Sequence, residues 1–461
     1  MGTQTAIQKV ICDLSARFPG GVDARPDIRR AHANTLTWIA NEPPDAVFYP
    51  VTTEDVAVAL AIASREGVRV IPFGAGTSLE GHVNAPFGGI SFDLSRMNRV
   101  VAIHESDLDC TVEAGVTRPQ LNEALRDRGL FFSVDPGASD ATLGGMAATR
   151  ASGTNAVRYG TMRDNVRSLT AVSANGEIVR TGGRARKSAA GFDLTGLFIG
   201  SEGTLGIITE LTVKLHPIPA VILAAVCTFE TIEGACNTTI EASEMAIGLA
   251  RVELLDALQI HAVNIHSKLG LEEAPTLFVE LHGSALATRE QVEVFREIAG
   301  RHGARRFVWA ESAEDRSRLW RARHDAYWAV RTAWPGKTVL ASDVCVPVSR
   351  LAACVGETVE DIRRSGLLAP ILGHVGDGNF HAIPVFDADN PDEVKAVREF
   401  LDRLVMRALA MEGTCTGEHG IGQGKIAYLE RELGLEAVQM MRAVKLALDP
   451  KGTLNPGKIF R

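Results

Sequence analysis

Two histidines in the segment GHVGDGNFH at 373–381 are spaced so that they could share one metal ion. The dipeptide Asp377-Gly378 has the composition of a two-residue hairpin turn. Counting outward from that turn places His374 opposite His381, and opposed residues of an antiparallel pair hold their Cβ atoms roughly 5 Å apart on one face. The spacing therefore predicts half of a metal site, although each histidine alone is more typical of an ordinary half-buried, hydrogen-bonded residue.

A second segment that could do chemistry is GEHGIGQGK at 417–425. Glu418 would add an anionic oxygen, and a His2Glu set leaves a fourth position open, as in catalytic zinc sites. His419 would then be placed to accept a proton near the metal. Zinc is the expected metal and manganese the alternative. A flexible turn is the other interpretation. A phosphate-binding loop is disfavoured, because His419 replaces its first glycine and Ile426 follows Lys425.

Three glycine-rich segments in the first half of the chain could bind a phosphate-bearing ligand. They are PFGAGTSLEGH at 72–82, the stretch 136–161 that begins PGASDATLGG, and GSEGTLGIITE at 200–210. Backbone N–H groups exposed by such loops can surround a pyrophosphate, so we expect a dinucleotide. None of them matches G-x-G-x-x-G at the start of a helix, which disfavours a Rossmann NAD site. For any single loop, tight turns explain the glycines equally well.

The elements that must position these residues fall into two parts, with a boundary near residue 220. In the first part, Thr117 with Gln120 predicts a helix-capping box and Asn175-Gly176 predicts a hairpin. The second part indicates a helix-backed antiparallel sheet of the split βαβ kind. We predict strands at 221–229, 276–282, 305–310 and 339–346, and helices from about 230 to 264 and at 287–302, 314–331, 349–365 and 392–411.

Composition limits the classes of function. The chain has 461 residues, 46% of them hydrophobic, and a net charge of −8 without a basic run, so neither nucleic acid nor an anionic membrane surface is expected as the main partner. No apolar stretch approaches about 18 residues and no secretory pattern is present. We therefore expect no membrane span and a cytoplasmic protein, with peripheral association at the inner membrane as the alternative. Seven scattered cysteines without C-x-x-C argue against an iron–sulfur cluster held by this chain alone.

Taken together, these motifs resemble the FAD-linked oxidases of the vanillyl-alcohol-oxidase superfamily. The segments that carry the resemblance are PFGAGTSLEG, DPGASDATLGG, RYGT, GSEGTLGIITE, GHVGDGNFH, GEHGIG and LDPKGTLNPGKIF, and it extends from about residue 44 to 460. The narrower resemblance is to the group of cytochrome-type D-lactate dehydrogenase, glycolate oxidase flavin subunit and D-2-hydroxyglutarate dehydrogenase.

The resemblance implies an α+β fold. It comprises an N-terminal helical segment at 1–44, a two-lobed FAD-binding domain at 45–219, a substrate domain with an antiparallel sheet and ferredoxin-like elements at 220–415, and a C-terminal helical segment at 416–461 that returns to the flavin. FAD would be bound non-covalently, because His82 does not match the attachment motif of distant relatives. The residues that would bind FAD are Pro72, Gly74, Ala75, Gly76, Thr77, Ser78, Gly81, Pro136, Gly137, Asp140, Thr142, Gly145, Ser152, Gly153, Tyr159, Gly160, Glu202, Gly206, Ile208 and Asn455.

For the substrate, the resemblance implies that Arg323 binds a carboxylate, for which its guanidinium fork is suited. The implied metal ligands are His374, His381 and Glu418, with His419 as the base and Asn379 near the bound hydroxyl. The implied reaction oxidises a D-2-hydroxy acid to the 2-oxo acid, with hydride passing to flavin N5. Ala341 and Ser342 stand where relatives that act on dicarboxylates tend to carry a basic residue, which favours a monocarboxylate such as D-lactate.

Other functions stay open at this stage. Glycolate and D-2-hydroxyglutarate are alternative substrates within the same family. A metallohydrolase would leave the three glycine loops without a ligand, and a non-catalytic metal- or flavin-binding module would make Arg323 and His419 coincidental. The sequence does not distinguish a cytochrome, a quinone or an electron-transfer protein as the electron acceptor, and a homodimer is one expectation for the assembly.

Overall fold

The computed structural model describes residues 3–310 and 312–460. The chain divides into two units. Unit 1 comprises Met1–Ser152, Gly160–Ile218 and Glu418–Arg461, and unit 2 comprises Gly153–Tyr159 and Pro219–Gly417. Among the helices of the described residues, none combines the length and the apolar composition that a bilayer crossing requires.

The helices and strands have the following bounds. The α-helices are α1 Thr3–Arg17, α2 Pro26–Ala31, α3 Thr53–Glu66, α4 Arg118–Leu125, α5 Leu143–Thr149, α6 Ala156–Tyr159, α7 Met162–Asn165, α8 Leu194–Phe198, α9 Ile232–Glu244, α10 Ala257–Ser267, α11 Ala285–Arg301, α12 Ala313–His324, α13 Ala326–Ala333, α14 Leu351–Ser365, α15 Pro391–Ala410, α16 Ile426–Leu433 and α17 Leu435–Leu448. The strands are β1 Val22–Asp23, β2 Ala46–Phe48, β3 Val70–Phe73, β4 Ile90–Asp93, β5 Val100–His104, β6 Asp109–Glu113, β7 Leu130–Phe131, β8 Val166–Val172, β9 Ile178–Gly182, β10 Ile207–Lys214, β11 His216–Pro217, β12 Val221–Phe229, β13 Leu249–Leu255, β14 Thr276–Gly283, β15 Ala304–Ala310, β16 Thr338–Val339, β17 Val344–Cys345, β18 Ile371–Gly373, β19 Asn379–Ala382 and β20 Val385–Phe386.

Unit 1 contains two larger sheets. The first has the order β1-β2-β4-β3, with β4 parallel to both β2 and β3. The second has the order β5-β6-β10-β8-β9 and is antiparallel throughout. Helices α3 and α5 pack against the second sheet. The mixture of helices with these sheets confirms the α+β expectation for this part of the chain.

Local sequence signals in unit 1 form the structures that they predict. Thr117 caps α4, accepting from the Gln120 amide while the Gln120 side chain accepts from the Thr117 amide. The capping box satisfies two amides that the first helical turn would otherwise leave without partners. Gly176, at φ +86°, lies in the turn that joins β8 to β9. Both features depend on residues adjacent in the chain, which is why the sequence was sufficient to predict them.

Unit 2 is built on a seven-stranded sheet with the order β15-β12-β14-β13-β18-β19-β17. All the strand pairs in it are antiparallel. Helix α9 packs against α11 and α14, and α10 packs against α13. This helix-backed antiparallel sheet agrees with the predicted architecture.

One prediction for unit 2 is wrong in a place that matters for the site. The region from about 230 to 264 is predicted as helical, but residues 249–255 form strand β13, hydrogen-bonded between β14 and β18. The residues Leu254 and Leu255 favour helices in isolation. Pairing with two strands far away in the sequence outweighs that local preference.

Two other predicted elements are interrupted in the structure. The helix expected at 314–331 is divided at Asp325 into α12 and α13. The strand expected at 339–346 consists of β16 and β17. Leu340 and Ser342 nevertheless donate to the carbonyls of Pro384 and Ala382, which keeps one register along this stretch. Pro384 has no amide hydrogen, and this is a physical reason for the gap in the ladder.

Lys458 provides a pH-dependent test of how the C-terminal segment is held in unit 1. Its side chain is 1% exposed, and Nζ donates to the carbonyl of Asn84 at 2.8 Å. Burial lowers the pKa of Lys458 to about 8, against smaller opposing effects of Glu42 and Glu202. An unfolded lysine keeps its proton up to about pH 10.4, so between these values the unfolded chain binds more protons and stability rises with pH.

We therefore expect the stability difference between the wild type and Lys458→Met to change with pH. From pH 8 to pH 10 the free energy of unfolding of the wild type should rise by about 2 kcal/mol relative to the variant. Urea titrations of both proteins at pH 8, 9 and 10 measure this difference. Parallel pH profiles would show that Lys458 does not titrate in this window.

Candidate functional site

The two histidines of the segment 373–381 lie on one face of an antiparallel pair, but in a register that differs from the predicted one. Leu372 pairs with His381, and the His374 carbonyl accepts from the Asn379 amide at 3.3 Å. His374 and His381 are therefore diagonal neighbours rather than directly opposed. Their ring centroids are 5.8 Å apart with the rings at 89°, and a ring nitrogen of each lies within 4.8 Å of one of the other.

The register shifts because the turn is longer than two residues. Residues Val375–Asp377 form a 3-10 turn that ends at Gly378 with φ +79°. A Cβ at Gly378 would lie 2.0 Å from the carbonyl oxygen of Val346. Glycine is therefore required there both by the left-handed backbone and by the close approach of the neighbouring strand.

Each histidine has its Nδ1 fixed by a neighbouring acceptor. His374 Nδ1 lies 2.7 Å from Oε1 of Glu253, and His381 Nδ1 lies 2.7 Å from the carbonyl oxygen of Ser342. Because a carboxylate and a carbonyl can only accept, both Nδ1 atoms carry the hydrogen. Nε2 is then the nitrogen of each ring that has the lone pair for a metal.

Asn379 lies between the histidines in the sequence and presents a buried oxygen. Its Nδ2 donates to Oδ1 of Asp343 and to the carbonyl of Val344, both at 2.8 Å. Its Oδ1 is buried and has no hydrogen-bond partner among the described residues. A buried amide oxygen normally has a partner, so this atom indicates a place where a bound hydroxyl or metal shell would fit.

The last residue of unit 2, Gly417, lies next to Asn379. A Cβ at Gly417 would lie 2.3 Å from Asn379 Nδ2 and 3.2 Å from Oδ1 of Asp343. Glu418 and His419 follow directly and belong to unit 1. Because Glu418 and the two histidines belong to different units, their coordination of one metal stays a prediction.

Arg323 is in unit 2, on helix α12, and is 7% exposed. Its Nε and Nη2 lie 2.7 Å and 2.6 Å from Oε2 of Glu253. That carboxylate occupies one edge of the guanidinium, and the edge formed by Nη1 and Nη2 has the fork geometry that binds a second carboxylate. Arg323 and His374 therefore both contact Glu253, a residue that the sequence alone did not assign to the site.

Glu253 and Asp343 are two polar residues of this region that the sequence alone did not assign to the site. Glu253 was not recognised because its strand was predicted as helix. The available signal was a single acidic residue in the apolar stretch VELL, since a buried carboxylate requires partners. Asp343 accepts from Asn379 Nδ2 and, at 2.7 Å, from the hydroxyl of Thr416. It therefore orients Asn379.

In unit 1, the glycine-rich loops predicted to bind the dinucleotide come together. A Cβ at Gly74 would lie 2.4 Å from Oγ1 of Thr142, and a Cβ at Gly203 would lie 2.8 Å from Cγ of Pro72. Asn455, whose φ is +39°, donates from Nδ2 to the carbonyls of Glu202 and His82. Loop 72–82, the start of α5, the turn near 203 and the C-terminal segment therefore form one cluster.

The remaining residues expected to bind FAD are distributed over both units. Gly76, Gly81 and Gly160 have φ of +69°, +74° and +77°. In unit 1, Ala75, Thr77 and Ser78 lie in the first loop, Pro136, Gly137 and Asp140 lie before α5, Gly145 is within it, Ser152 follows it, and Gly206 and Ile208 lie at the start of β10. Gly153 and Tyr159, assigned by the sequence analysis to the domain at 45–219, belong to unit 2. There the Tyr159 hydroxyl lies 2.7 Å from His282 Nδ1.

Glu202 is buried in unit 1 and holds the loop that contains His419. Its carboxylate accepts from the amides of Ile421 at 2.7 Å and Gly422 at 2.8 Å, and its Oε1 is 3.3 Å from Nε2 of His82. Burial acts to raise the pKa of Glu202, but the neighbouring His82 and the two amides outweigh it, so the pKa is lowered. A Cβ at Gly420, where φ is +80°, would lie 2.7 Å from Oε1 of Glu202.

His419 lies at the start of this loop. Its Nδ1 is 3.9 Å from Oε1 of Glu80, which also lies 3.6 Å from Nζ of Lys425. The carbonyl of Glu80 accepts from the amide of Gln423 at 2.7 Å. The loop is therefore fixed at both Glu202 and Glu80, and His419 lies near the carboxylate of Glu80.

The residues present fit both groups that the resemblance implies. In unit 1, the cluster of loops contains buried oxygens without hydrogen-bond partners among the described residues, namely Ser78 Oγ, Ser201 Oγ and Asn455 Oδ1. Hydroxyls and amides of this kind suit the many acceptors and donors of a dinucleotide. In unit 2, two imidazoles with fixed Nδ1 atoms and the Asn379 oxygen suit a divalent metal with an oxygen-bearing substrate.

Comparison with known proteins supports FAD as the cofactor. The chain matches a family model described as the C-terminal domain of FAD linked oxidases over residues 218–459 and one described as an FAD binding domain over residues 44–182. It is 48% identical over 459 residues to a probable mitochondrial D-lactate dehydrogenase of Danio rerio, covering 99% of this chain and 92% of that protein. It is 47% identical to the mitochondrial D-lactate dehydrogenase [cytochrome] of Arabidopsis thaliana, covering 90% of this chain and 73% of that one. A glycolate oxidase subunit of Bacillus subtilis is 35% identical, with 90% and 89% covered.

Solved structures show the same fold at low sequence identity. A p-cresol methylhydroxylase structure has a TM-score of 0.79 and 18% identity, covering 99% of this chain and 97% of that one. A 4-ethylphenol oxidase from Gulosibacter chungangensis has a TM-score of 0.78 and 20% identity, with 99% and 97% covered. The loop cluster, the matched FAD models and the extensive identity to D-lactate dehydrogenases lead to one conclusion: this chain belongs to the FAD-linked oxidases and is an FAD-dependent oxidoreductase.

Proposed function

We propose that this enzyme oxidises a D-2-hydroxy acid, D-lactate, to its 2-oxo acid. The observation that supports this most strongly is that one carboxylate, Glu253, holds both His374 and Arg323. A 2-hydroxy acid carries a hydroxyl and a carboxylate on adjacent carbons, so its recognition requires a metal site and a cationic fork at a short, fixed separation. The D-lactate dehydrogenases that are 47–48% identical give independent support for the substrate.

Each protein group has a defined part in this proposal. A bound divalent metal, zinc or alternatively manganese, supplies Lewis acidity to the substrate hydroxyl, and non-covalently bound FAD supplies the hydride acceptor. His374 and His381 offer Nε2 to the metal, and Glu418 adds a carboxylate oxygen. Arg323 binds the substrate carboxylate through Nη1 and Nη2. His419 accepts the hydroxyl proton.

Asn379 and the loops of unit 1 complete the site. The buried Oδ1 of Asn379 can accept a hydrogen bond from the substrate hydroxyl, since its Nδ2 is already engaged by Asp343 and Val344. The cluster formed by loop 72–82, the start of α5, the turn near 203 and Asn455 would hold FAD. We propose that all the FAD-binding residues predicted in unit 1 contact FAD, and that Gly153 and Tyr159 of unit 2 contact it as well.

The surroundings of Ser342 favour a monocarboxylate. Its carbonyl accepts from His381 Nδ1 and its hydroxyl accepts from the Ala382 amide at 2.8 Å. The residue before it is Ala341, so neither position offers a cation to a second carboxylate. Glycolate is the second candidate, because a relative named for glycolate oxidation is 35% identical. It differs from lactate only by lacking the methyl group.

A substrate panel tests the proposal. The purified protein should absorb in the flavin bands and reduce an artificial electron acceptor with D-lactate, with kcat/KM roughly a hundredfold higher than with L-lactate. Glycolate, D-2-hydroxyglutarate and D-2-hydroxybutyrate complete the panel, and chelator treatment should abolish turnover until zinc or manganese is restored. Failure to bind FAD would contradict the cofactor, higher kcat/KM with glycolate would contradict the substrate, and chelator-resistant turnover would contradict the metal.

The electron acceptor and the location are also proposals. The plant relative carries the word cytochrome in its name, so we propose a cytochrome as the acceptor, with a quinone or an electron-transfer protein as alternatives. The zebrafish and plant relatives are named as mitochondrial. The cytoplasmic or peripheral inner-membrane location expected from the sequence, and the homodimer, remain proposals that fractionation and light scattering can test.

A further inference from the structure

Glu253 has an unusual position for an acidic residue. It lies on β13, between β14 and β18 in the middle of the seven-stranded sheet, and is 0% exposed. Burying a carboxylate in such a place is costly unless it is paired and fully hydrogen-bonded. Its two oxygens are used by different partners: Oε2 by Nε and Nη2 of Arg323, and Oε1 by Nδ1 of His374. The pairing with both partners offsets the cost of burial.

The contact with His374 determines which ring nitrogen can bind a metal. A carboxylate has no hydrogen to donate, so His374 must donate from Nδ1 and keep the lone pair on Nε2. The 2.7 Å contact also fixes the plane of the ring. A carboxylate placed behind a metal-binding histidine in this way commonly raises metal affinity, and its loss costs about 10–100-fold.

The contact with Arg323 determines where the guanidinium points. Two N–H groups on one edge bind a single oxygen of Glu253, at 2.7 Å and 2.6 Å. The opposite edge is then held in a fixed direction by a residue that also holds His374. A planar fork that is fixed beforehand loses less conformational freedom when it binds a carboxylate.

We propose that Glu253 is a positioning residue that couples the two halves of the substrate site: it sets the His374 tautomer for metal coordination and orients Arg323 for the substrate carboxylate. This inference rests on the proposed function, because it assigns His374 to the metal and Arg323 to the substrate. It concerns residues of unit 2 alone.

The variant Glu253→Gln separates the two contacts. The single amide oxygen must face Arg323, because a guanidinium can only donate. The amide NH2 then faces His374 and donates to Nδ1, which moves the ring hydrogen to Nε2 and removes the lone pair needed for the metal. We expect the dissociation constant of Mn²⁺, titrated into the FAD-loaded, metal-free protein without substrate, to increase about 10–100-fold. Turnover lost at low Mn²⁺ should largely return at saturating Mn²⁺.

The matched control is Asp361→Asn, which alters another buried carboxylate of unit 2. Asp361 is 1% exposed and binds Arg403 and Arg407. Asp361→Asn therefore reports the general cost of removing a buried ion pair, and we expect its Mn²⁺ affinity to equal that of the wild type.

A second variant, Glu253→Asp, keeps the charge but shortens the side chain, so it should also bind Mn²⁺ more weakly than the wild type. Glu253→Asp replaces Glu253→Gln in the Mn²⁺ titration if Glu253→Gln does not fold.

A spectroscopic measurement tests the tautomer in the wild type itself. In metal-free protein with ¹⁵N-labelled histidine, the His374 signals, assigned by their loss in His374→Gln, should show the hydrogen on Nδ1, and in Glu253→Gln on Nε2. An Nε2–H tautomer in the wild type would overturn the proposal, as would folded Glu253→Gln with unchanged Mn²⁺ affinity. If the wild type binds no metal, the proposed function fails. If the wild type binds metal and oxidises D-lactate while the variant has the same affinity, only the role of Glu253 fails.

Discussion

Replacing His419 by alanine is expected to lower kcat for D-lactate by about 10²–10⁴-fold, the usual contribution of a positioned general base. His419 is in the loop fixed by Glu202 and Glu80, and its Nδ1 lies 3.9 Å from Oε1 of Glu80. The loop is thus held in place at its backbone amides, and alanine removes the proton acceptor while the loop keeps both of its anchors. The acid limb of the pH–rate profile, where the base takes up a proton, should disappear in the variant.

The measurement needs a control for the loss of a buried histidine. His32 is also in unit 1 and buried, with Nε2 2.9 Å from Oδ2 of Asp93. We expect His32→Asn to keep kcat within about threefold, since general acid–base effects require contact with the reacting proton. FAD absorbance and Mn²⁺ content of both variants should match the wild type. A His419→Ala enzyme with normal kcat would exclude His419 as the base.

Replacing Glu202 by alanine is expected to have the second large effect, on the folded state of unit 1. The variant leaves the amides of Ile421 and Gly422 without their acceptor in a buried region, and it removes the partner of His82. Such a loss costs about 3 kcal/mol or more. We therefore expect the loop at 418–425 to detach before unit 1 unfolds as a whole, with weaker FAD binding as a consequence.

Limited proteolysis with mass spectrometry measures this detachment. Cleavage within 418–425 should be faster in Glu202→Ala than in the wild type, and Glu202→Gln should be intermediate because its amide keeps one acceptor oxygen. Glu210→Gln is the control, since Glu210 is another carboxylate of unit 1 whose side chain makes one long hydrogen bond among the described residues, from the Thr170 hydroxyl at 3.5 Å. Equal cleavage rates in Glu202→Ala and Glu210→Gln would show that the Glu202 contacts do not hold the loop.

The sequence predicted the features that depend on neighbouring residues. The capping box of Thr117 and Gln120 and the hairpin at Asn175-Gly176 are formed by side chains and turn residues within a few positions of each other. The FAD family and its α+β fold were also predicted correctly, because the glycine loops carry strong motifs. These motifs can be identified without knowing which residues they contact elsewhere in the fold.

The sequence could not predict the features that depend on distant partners. The register of His374 and His381 is set by the 3-10 turn and by the carbonyl of Val346 next to Gly378. Glu253 is 70 residues from Arg323 and 121 residues from His374. No local pattern indicates that one strand residue will join them, since β13 forms only when β14 and β18 provide its hydrogen bonds. A metal site that combines His374 and His381 with Glu418 stays a prediction, because it also depends on residues far apart in the sequence.

Because unit 1 is built from separate stretches of the chain, it cannot finish folding until the C-terminal stretch has been synthesised. The carbonyl of Thr453 accepts from the amide of Val70, and the amide of Asn455 donates to the carbonyl of Val70. Both residues are synthesised long after β3, with the whole of 219–417 in between. The nascent chain therefore presents loop 72–82 to the cell without its final partners while unit 2 can already assemble. Because exposed, incompletely folded segments promote aggregation, the chain is most prone to aggregate during this interval.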